Sequence, residues 1–460
     1  MSETNILLVN WGTGSVYYAL KKSIDLKKDK IFLATTPFLP QEIKNLFAPE
    51  NLIYTNPYDS QKLIEDVVDF INNRKINFEI VTTFFEMNVY QASVLADFLK
   101  CPRFLSPESA LKTSVNKLLT RLALKEKQII QPRFELFDEN DLSKAFAFYQ
   151  KIKKPVVIKP VHSGHGYGTR FVEKNLSFRD FKNLYQKARN DLTRSYDEWM
   201  TWEKPFLNSR FLIEEFIGGT MVSCDGFVRG KDHLEFIGTT EFGLSKPPFL
   251  NQISHFTPPV NLNKKQVQQC QDYTRQIISV LGLQYCGFHC EMKYEKNQPY
   301  LVEISGRLPG GTVLQAYQET SSDNIFDKFF AVFGEKKKEE VKNPVFFKSE
   351  ATRFFFSHQK FGQLKNIKIP EAFKNKNVEI SSNHLKEKEI FGSLKETRGA
   401  WLLTLTLRSK KLNSVQLQKK IEILAGKIKM EIDSGLLVLL KVIFRKFIRK
   451  LSFRKNSVKI

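Results

Sequence analysis

Residues 286–311 read CGFHCEMKYEKNQPYLVEISGRLPGG, and the way they fold decides the architecture of the chain. Two runs of alternating apolar and polar residues flank Glu295-Lys296-Asn297-Gln298-Pro299, which is the pattern of a β-hairpin. A turn centred on Asn297 puts Glu291 opposite Glu303, His289 opposite Ser305 and Lys293 opposite Leu301. Strand alternation gathers these six on one face and sends Phe288, Cys290, Met292, Tyr294, Tyr300, Val302 and Ile304 to the other. The second face is a core wall. The first holds two carboxylates across from one another, with Cβ atoms about 4.5–5.5 Å apart, where like charges repel. A shared divalent cation removes that repulsion, and oxygen ligands suit Mg²⁺ or Mn²⁺. The plainer alternative is a surface pair neutralised by Lys293 and solvent, and the surrounding sequence has to separate the two.

With 460 residues the chain is long enough for two to four domains and a substantial core. A 42% hydrophobic content, 13% aromatics and 40 phenylalanines are those of a globular protein. The formal charge of +22 calls for an anionic partner: phosphate, nucleic acid or an acidic membrane. Five cysteines, odd in number and without a CxxC pair, point to a reducing compartment rather than a disulfide framework. On a strand, Cys286 and Cys290 face away from His289, so core packing accounts for them better than zinc. The first residues, MSETNILLVNW, lack the positive charge and apolar length of a signal peptide, and no run reaches the roughly 18 apolar residues of a spanning helix. The expected location is the cytoplasm.

Strands at 5–11, 30–34 and 78–82 alternate with helices at 15–23, 60–73 and 87–100, so residues 1–112 read as an α/β domain with a mainly parallel sheet. Gly12-Thr13-Gly14 makes a tight turn after the first strand; Tyr17 stands where a dinucleotide fingerprint needs glycine. Glu86 follows the strand ending at Thr82, where open sheets place ligands, although a loop acid or helix cap explains it as well. A basic helix over 113–127 carries Lys117 and Arg121 one turn apart, a pair that ordinarily marks a solvated face. Then KKPVVIKPVHSGHGYGTRFV, residues 153–172, places a short strand ending in Lys159 before a loop with Gly164, Gly166 and Gly168. Such glycines bring amide N–H groups close to phosphate oxygens, and the lysine adds a compact charge. No GK[ST] follows, so this is not a P-loop; a flexible hairpin tip is the alternative. His162 and His165 in this loop have no assigned role. FLIEEFI at 211–217 runs into Gly218-Gly219, followed by a strand over 221–229. A strand at 233–240, a long loop over 246–259 and a helix at 266–281 lead to the hairpin.

In this order, the basic helix with its lysine, PVVIKP with a glycine loop, LIEEFIGG, and GFHCEMK…YLVEISGR resemble the ATP-grasp superfamily, specifically its carboxylate–amine ligase and carbamoyl-phosphate-synthase-like branch. The resemblance covers about residues 1–335. It implies an α/β and α+β protein: a Rossmann-like pre-ATP-grasp domain at 1–112, an ATP-grasp domain at 113–335 with its lid at about 128–213, a small C-terminal α+β domain at 345–430, and a tail at 436–460. It further implies that Lys117 and Lys159 reach the ATP phosphates, that Gly164, Gly166 and Gly168 close over them, and that Glu214, Glu215, Phe216 and Ile217 form the adenine hinge. Glu291, Glu303 and Ser305 would be the Mg²⁺ (or Mn²⁺) ligands, and Arg307 would steady the transferred phosphoryl group. Two positions depart from the family: Ser305 replaces a usual asparagine, and Thr220-Met221 stands where a ribose-binding glutamate is frequent.

The chemistry implied is attack of a carboxylate on the ATP γ-phosphate, giving an acyl-phosphate that an amine then displaces. Small-molecule acids and amines are therefore the expected partners, with a homodimer as an assembly open to the fold. Carboxylation with bicarbonate is a second enzymatic reading, and a nucleotide-binding scaffold without turnover a third. Nucleic acid is not expected, because no aromatic-basic recognition motif accompanies the charge. After a charged linker at 334–344, strands are expected at 345–356, 364–369 and 399–407 and a helix at 414–428. The tail LLVLLKVIFRKFIRKL, residues 436–451, sets basic residues on one helical face and apolar ones on the other. Eight basic and no acidic residues lie in 441–460, leaving +14 for the rest. That pattern suits contact with an anionic membrane surface, or packing on protein.

Overall fold

The computed structural model describes residues 5–10, 31–163 apart from 38 and 40, 166, 168–199, 210–230, 233–245, 252–322, 324–333, 346–356, 361–368, 379–384, 390–392, 401–433 and 435. The Gly12–Gly14 turn, the helix expected at 15–23, Gly164, the linker at 334–344 and the tail at 436–460 lie outside these residues. The chain divides into two compact units, Met1–Glu241 with Lys246–Leu250 and Asn261–Phe346, and Phe242–Ser245 with Asn251–Val260 and Phe347–Ile460.

The first unit opens with a parallel sheet of β1 (Ile6–Val9), β2 (Ile31–Thr35), β3 (Leu52–Tyr54) and β4 (Ile80–Thr82), in the order β3-β2-β1-β4. Its strands are continuous apolar runs because both faces are covered, as parallel sheets require. Helix Ser60–Arg74 starts at Asp59, whose side chain accepts from the N–H groups of Gln61 and Lys62, and it buries Leu63 and Val67 against Leu7, Val9 and Ile53.

An antiparallel sheet follows, ordered β5-β8-β6-β7, from β5 (Phe134–Phe137), β6 (Val156–Pro160), β7 (Arg170–Val172) and β8 (Phe211–Glu215). Helices Leu142–Ile152 and Phe178–Trp199 cover one face with an aromatic core of Phe137, Tyr149, Phe181, Tyr185 and Phe211. The hairpin belongs to a third layer, in which β9 (Thr220–Val228), β10 (Leu234–Leu244), β12 (Cys286–Glu295) and β13 (Gln298–Ser305) stand in the order β13-β12-β9-β10. Helix Lys264–Leu281 packs Tyr273, Ile277 and Leu281 beneath Phe288, Cys290, Met292 and Ile304. All five cysteines are free and buried.

In the second unit β11 (Gln252–Thr257) pairs with β14 (Ser349–Phe356), which pairs with β18 (Trp401–Ser409), itself paired with β16 (Glu379–His384). Helix Ser414–Ala425 seals Leu405, Leu407, Leu417 and Ile421. A smaller sheet holds β17 (Ile390–Gly392), β15 (Phe361–Lys368) and β19 (Lys429–Asp433). The expected long loop at 246–259 thus contains a strand: Ser254, His255 and Phe256 pair with Arg353, Thr352 and Ala351, a partner about a hundred residues away that proline-rich local sequence does not announce. The short strand β5 escapes sequence reading for the same reason, since its partner β8 lies far along the chain. Among the described residues no helix is long and apolar enough to cross a membrane.

Candidate active site

The hairpin pairs Glu291 with Glu303 and His289 with Ser305, as the alternation requires. Nearer the turn the register shifts: Met292 opposes Leu301 and Lys293 opposes Tyr300, not Leu301. Two facts explain the correction. The turn is the two-residue Lys296-Asn297, both with positive φ (51° and 63°), as in a type I′ hairpin turn. A bulge at Glu291/Met292 then restores the pairing of the acids, making Val302 the extra residue. The bulge turns Leu301 into the core, fully buried, and leaves Tyr300 and Val302 only partly buried.

The bulge also aims two successive carbonyls the same way, which a regular strand does not do. Leu301 O and Val302 O both accept from Arg121 Nη2, at 3.0 and 3.2 Å, and Val302 O lies 3.3 Å from Lys159 Nζ. Arg121 grips Glu214 bidentately, Nε to Oε1 at 2.8 Å and Nη2 to Oε2 at 3.0 Å. Lys159 reaches the same carboxylate at 2.7 Å. Local structure prepares this cluster. Asn116 caps helix Lys117–Glu126, so Lys117 and Arg121 emerge one turn apart on one face. Val157 is the strand partner of Glu214, which puts Lys159 diagonally across from it on the same face.

Lys117 is buried, donates to Ser163 O at 2.7 Å and lies 3.4 Å from Glu303 Oε2. Ser163 immediately precedes the glycine loop, and the backbone N–H of Lys117 donates to Val161 O. The electrostatics of the group are lopsided: one buried carboxylate, Glu214, is shared among cations. Burial pushes the Glu214 carboxyl up, but Arg121 and Lys159 overcome this and hold it at about 2. For Lys159 burial dominates in the other direction, Arg121 and Lys117 add repulsion, and despite Glu214 the ammonium is brought down to about 8. Neighbouring cations lower both groups, and burial adds to that for Lys159 while opposing it for Glu214. Such a surplus of positive charge is suited to phosphate.

Gly168 closes the loop in the left-handed region (φ +71°), and a Cβ there would stand 2.7 Å from Pro160 Cγ. At the end of β8 the chain crosses Tyr294 so closely that a Cβ on Gly219 would fall 2.1 Å from Tyr294 O. The Glu215 side chain is turned away from Glu214 and pairs with Arg133 (2.7 Å) and Lys154 (2.6 Å). The carboxylates of Glu214 and Glu215 are therefore committed to ion pairs, so at the hinge expected from sequence the main chain and the Phe216 ring are what could meet a ligand. That ring meets Phe171 edge-on at 4.9 Å and has Lys293 Nζ 5.9 Å from its centroid. Burial lowers Lys293 to about 8.

Around the metal-ligand candidates, Glu291 Oε1 is 3.4 Å from His289 Nε2, and Ser305 is buried opposite that histidine. Burial alone would lower the His289 pKa, but Asp225 and Glu291 raise it to about 10. Two facing carboxylates supply oxygen ligands of the kind Mg²⁺ takes. Among the described residues no group of three or more His, Cys, Asp or Glu side chains could hold a metal ion. Glu291 and Glu303, opposed across the ladder, could hold a Mg²⁺ whose remaining ligands come with a bound phosphate or water. Arg307 pairs with Glu86 at 2.9 Å, so the loop acid beyond β4 and the arginine after β13 meet.

Of the residues predicted from sequence, these contacts join Lys117, Lys159, Glu214 and Glu303; Glu291 and Ser305 flank His289, Arg307 pairs with Glu86, Glu215 pairs with Arg133 and Lys154, and Gly164 lies outside the described residues. Sequence reading missed Arg121, taken as a solvated charge yet 1% exposed, because its partner is 93 positions away. It also left His162 without a role; the ring is held at 2.7 Å from Val115 O, and burial lowers its pKa. Asp225 was missed as well, although an aspartate in the apolar strand TMVSCDGFV was a legible signal.

Comparison with known proteins agrees with this architecture. Residues 152–315 match the family model of the ATP-grasp domain. Among solved structures the chain is similar to L-amino acid ligase from Bacillus licheniformis (TM-score 0.70, 15% identity, covering 94% of this chain and 99% of that one). It is similar to phosphoribosylglycinamide synthetase from Anaerococcus prevotii (TM-score 0.60, 17% identity, 93% and 99%). It is also similar to N5-carboxyaminoimidazole synthase from Aspergillus clavatus (TM-score 0.64, 14% identity, 92% and 100%). At such identities the likeness is one of fold. No curated protein matches the chain by sequence.

Proposed function

We propose that the protein, whose residues 152–315 match the ATP-grasp domain, is an ADP-forming ligase of the ATP-grasp superfamily that activates a small-molecule carboxylate as an acyl-phosphate and joins it to an amine. The observation that carries this reading is the convergence of Lys117 on Glu303, and of Lys159 and Arg121 on the bulge beside it. Lys117 and Lys159 would receive the phosphates, with Gly164, Gly166 and Gly168 supplying backbone N–H groups above them. The hinge Glu214, Glu215, Phe216 and Ile217 would meet adenine through its main chain and the Phe216 ring. Glu291 and Glu303, with Ser305 as the smaller oxygen, would hold Mg²⁺ or Mn²⁺, which when bound offsets charge on the triphosphate. Arg307 would neutralise the acyl-phosphate oxygens, released from Glu86 or shared with it. No nucleophilic side chain is needed: positioning and charge compensation carry phosphoryl transfer.

Single-turnover ADP release on mixing with MgATP and a pool of carboxylates and amines tests this. ADP that requires both a carboxylate and an amine supports ligation. ADP with bicarbonate alone replaces it with carboxylation, the reading favoured by the fold of N5-carboxyaminoimidazole synthase. ATP binding with no ADP from any pool leaves a scaffold.

We further propose that the basic tail at 436–460 contacts an anionic membrane surface. Its removal should move the protein from the membrane fraction to the soluble one; unchanged partition refutes the contact.

A further inference from the structure

Behind Glu291 lies a line of polar side chains that the proposed chemistry does not use. Asp225 is wholly buried in β9 and is the direct strand partner of His289. Its Oδ2 accepts from Ser223 Oγ and from Tyr317 Oη, each at 2.6 Å. Thr240 Oγ1 in turn donates to Tyr317 Oη at 3.0 Å. The remaining oxygen, Oδ1, holds His289 Nδ1 at 2.5 Å. With one ring nitrogen fixed, the other is aimed: Nε2 stands 3.4 Å from Glu291 Oε1. The ring sits on the central strand β12, flanked by Asp225 on one side and Ser305 on the other, so the backbone pairing also fixes its height. A buried carboxylate needs donors, and the two hydroxyls already serve one oxygen. What satisfaction of Asp225 does not account for is the second nitrogen facing the acid pair.

We infer that His289 is a positioning residue for the metal-binding acid: Asp225, itself braced by Ser223 and Tyr317, clamps the imidazole so that Nε2 engages Glu291 Oε1 and orients that carboxylate. This rests on the reading of Glu291 and Glu303 as ligands. Outer-shell partners of this kind typically cost 10–100-fold in metal affinity when removed.

Two amides separate the ring's two contacts. Glutamine at 289 places an N–H near the Nε2 position and can reach Glu291; asparagine places one near Nδ1 and can reach only Asp225. Mn²⁺ binding to the full-length protein in the presence of ADP, followed by electron paramagnetic resonance, is measured for wild type, His289→Ala, His289→Asn, His289→Gln and Glu291→Gln. Nucleotide binding in EDTA and thermal unfolding are recorded alongside. The expected result is a loss of about tenfold or more in Mn²⁺ affinity for the alanine and asparagine variants, with glutamine within about threefold of wild type and metal-free nucleotide affinity unchanged. Asparagine and glutamine variants that match each other, or asparagine outperforming glutamine, would overturn the inference, because His289 would then serve only Asp225. So would wild-type affinity in all three while Glu291→Gln loses Mn²⁺. If Glu291→Gln binds Mn²⁺ normally, the two-glutamate reading itself fails and this one with it. Should the alanine variant not fold, the asparagine and glutamine pair decides alone.

Discussion

Glu214 and the Glu291–Glu303 pair are carboxylates in one neighbourhood, but their charges are handled differently. Glu214 is met at 2.8 and 2.7 Å by Arg121 and Lys159, and its side chain is 7% exposed. Glu291 lies 3.4 Å from His289 Nε2 and Glu303 lies 3.4 Å from Lys117 Nζ, and their side chains are 17% and 33% exposed. Close, saturated pairing in a dry environment makes an acid part of the architecture. An acid in a partly wet environment can take a solvated cation. Adjacent Glu215 supplies a third case: its side chain is 10% exposed and tightly paired, but Arg133 and Lys154 are 55% and 49% exposed, so solvent reaches the cations and screens part of the attraction.

The sharpest way to break this contrast is Glu214→Ala, which strands Arg121 and Lys159 in a buried site. A loss of about 3–5 kcal/mol of stability is expected from urea unfolding; a loss under about 1 kcal/mol would show that the cluster is not architectural. The pH dependence has a definite sign. Because the folded carboxyl is held at about 2, below its ordinary 4.5, its stabilisation is present above about pH 4.5 and fades as pH falls toward 2. The Glu214→Ala variant should lack that portion of the acid transition.

Glu291→Gln and Glu303→Gln should do the opposite, leaving unfolding close to wild type while lowering ADP formation by about 10²–10³-fold, the scale of losing one electrostatic stabiliser. Normal ADP formation in either variant would remove that acid from the site. A smaller effect tests the surplus of positive charge. Since the Lys159 ammonium is lowered to about 8, it loses its proton as pH rises through that value, and phosphates favour the protonated form. ATP affinity measured calorimetrically should therefore fall by up to about tenfold from pH 7.5 to 9, and Lys159→Met should flatten the profile. The smallest change is expected from Glu215→Ala, about 0–1 kcal/mol in the same unfolding assay; a loss as large as that of its neighbour would erase the distinction between screened and buried pairs.

Much of the hairpin was readable because its information is local. Period-two alternation forces Glu291 and Glu303 onto one face, and a short polar turn forces them together. What alternation could not supply was the bulge, since one inserted residue preserves the pattern on either side while reassigning Tyr300, Leu301 and Val302. That insertion turns Leu301 inward and points two carbonyls at Arg121.

By itself the sequence determined the α/β and α+β character, the hairpin that opposes the two acids, and the lysine before a glycine loop. Each depends on residues within a few positions of one another. Only the tertiary structure decided that Arg121 is a buried clamp and not a solvated charge, that Glu214 meets buried cations while Glu215 meets half-exposed ones, and that Asp225 stands behind His289. Those outcomes depend on how deeply charges separated by tens to nearly two hundred positions are buried against each other. Burial depth is a property of packed layers, which no local pattern records.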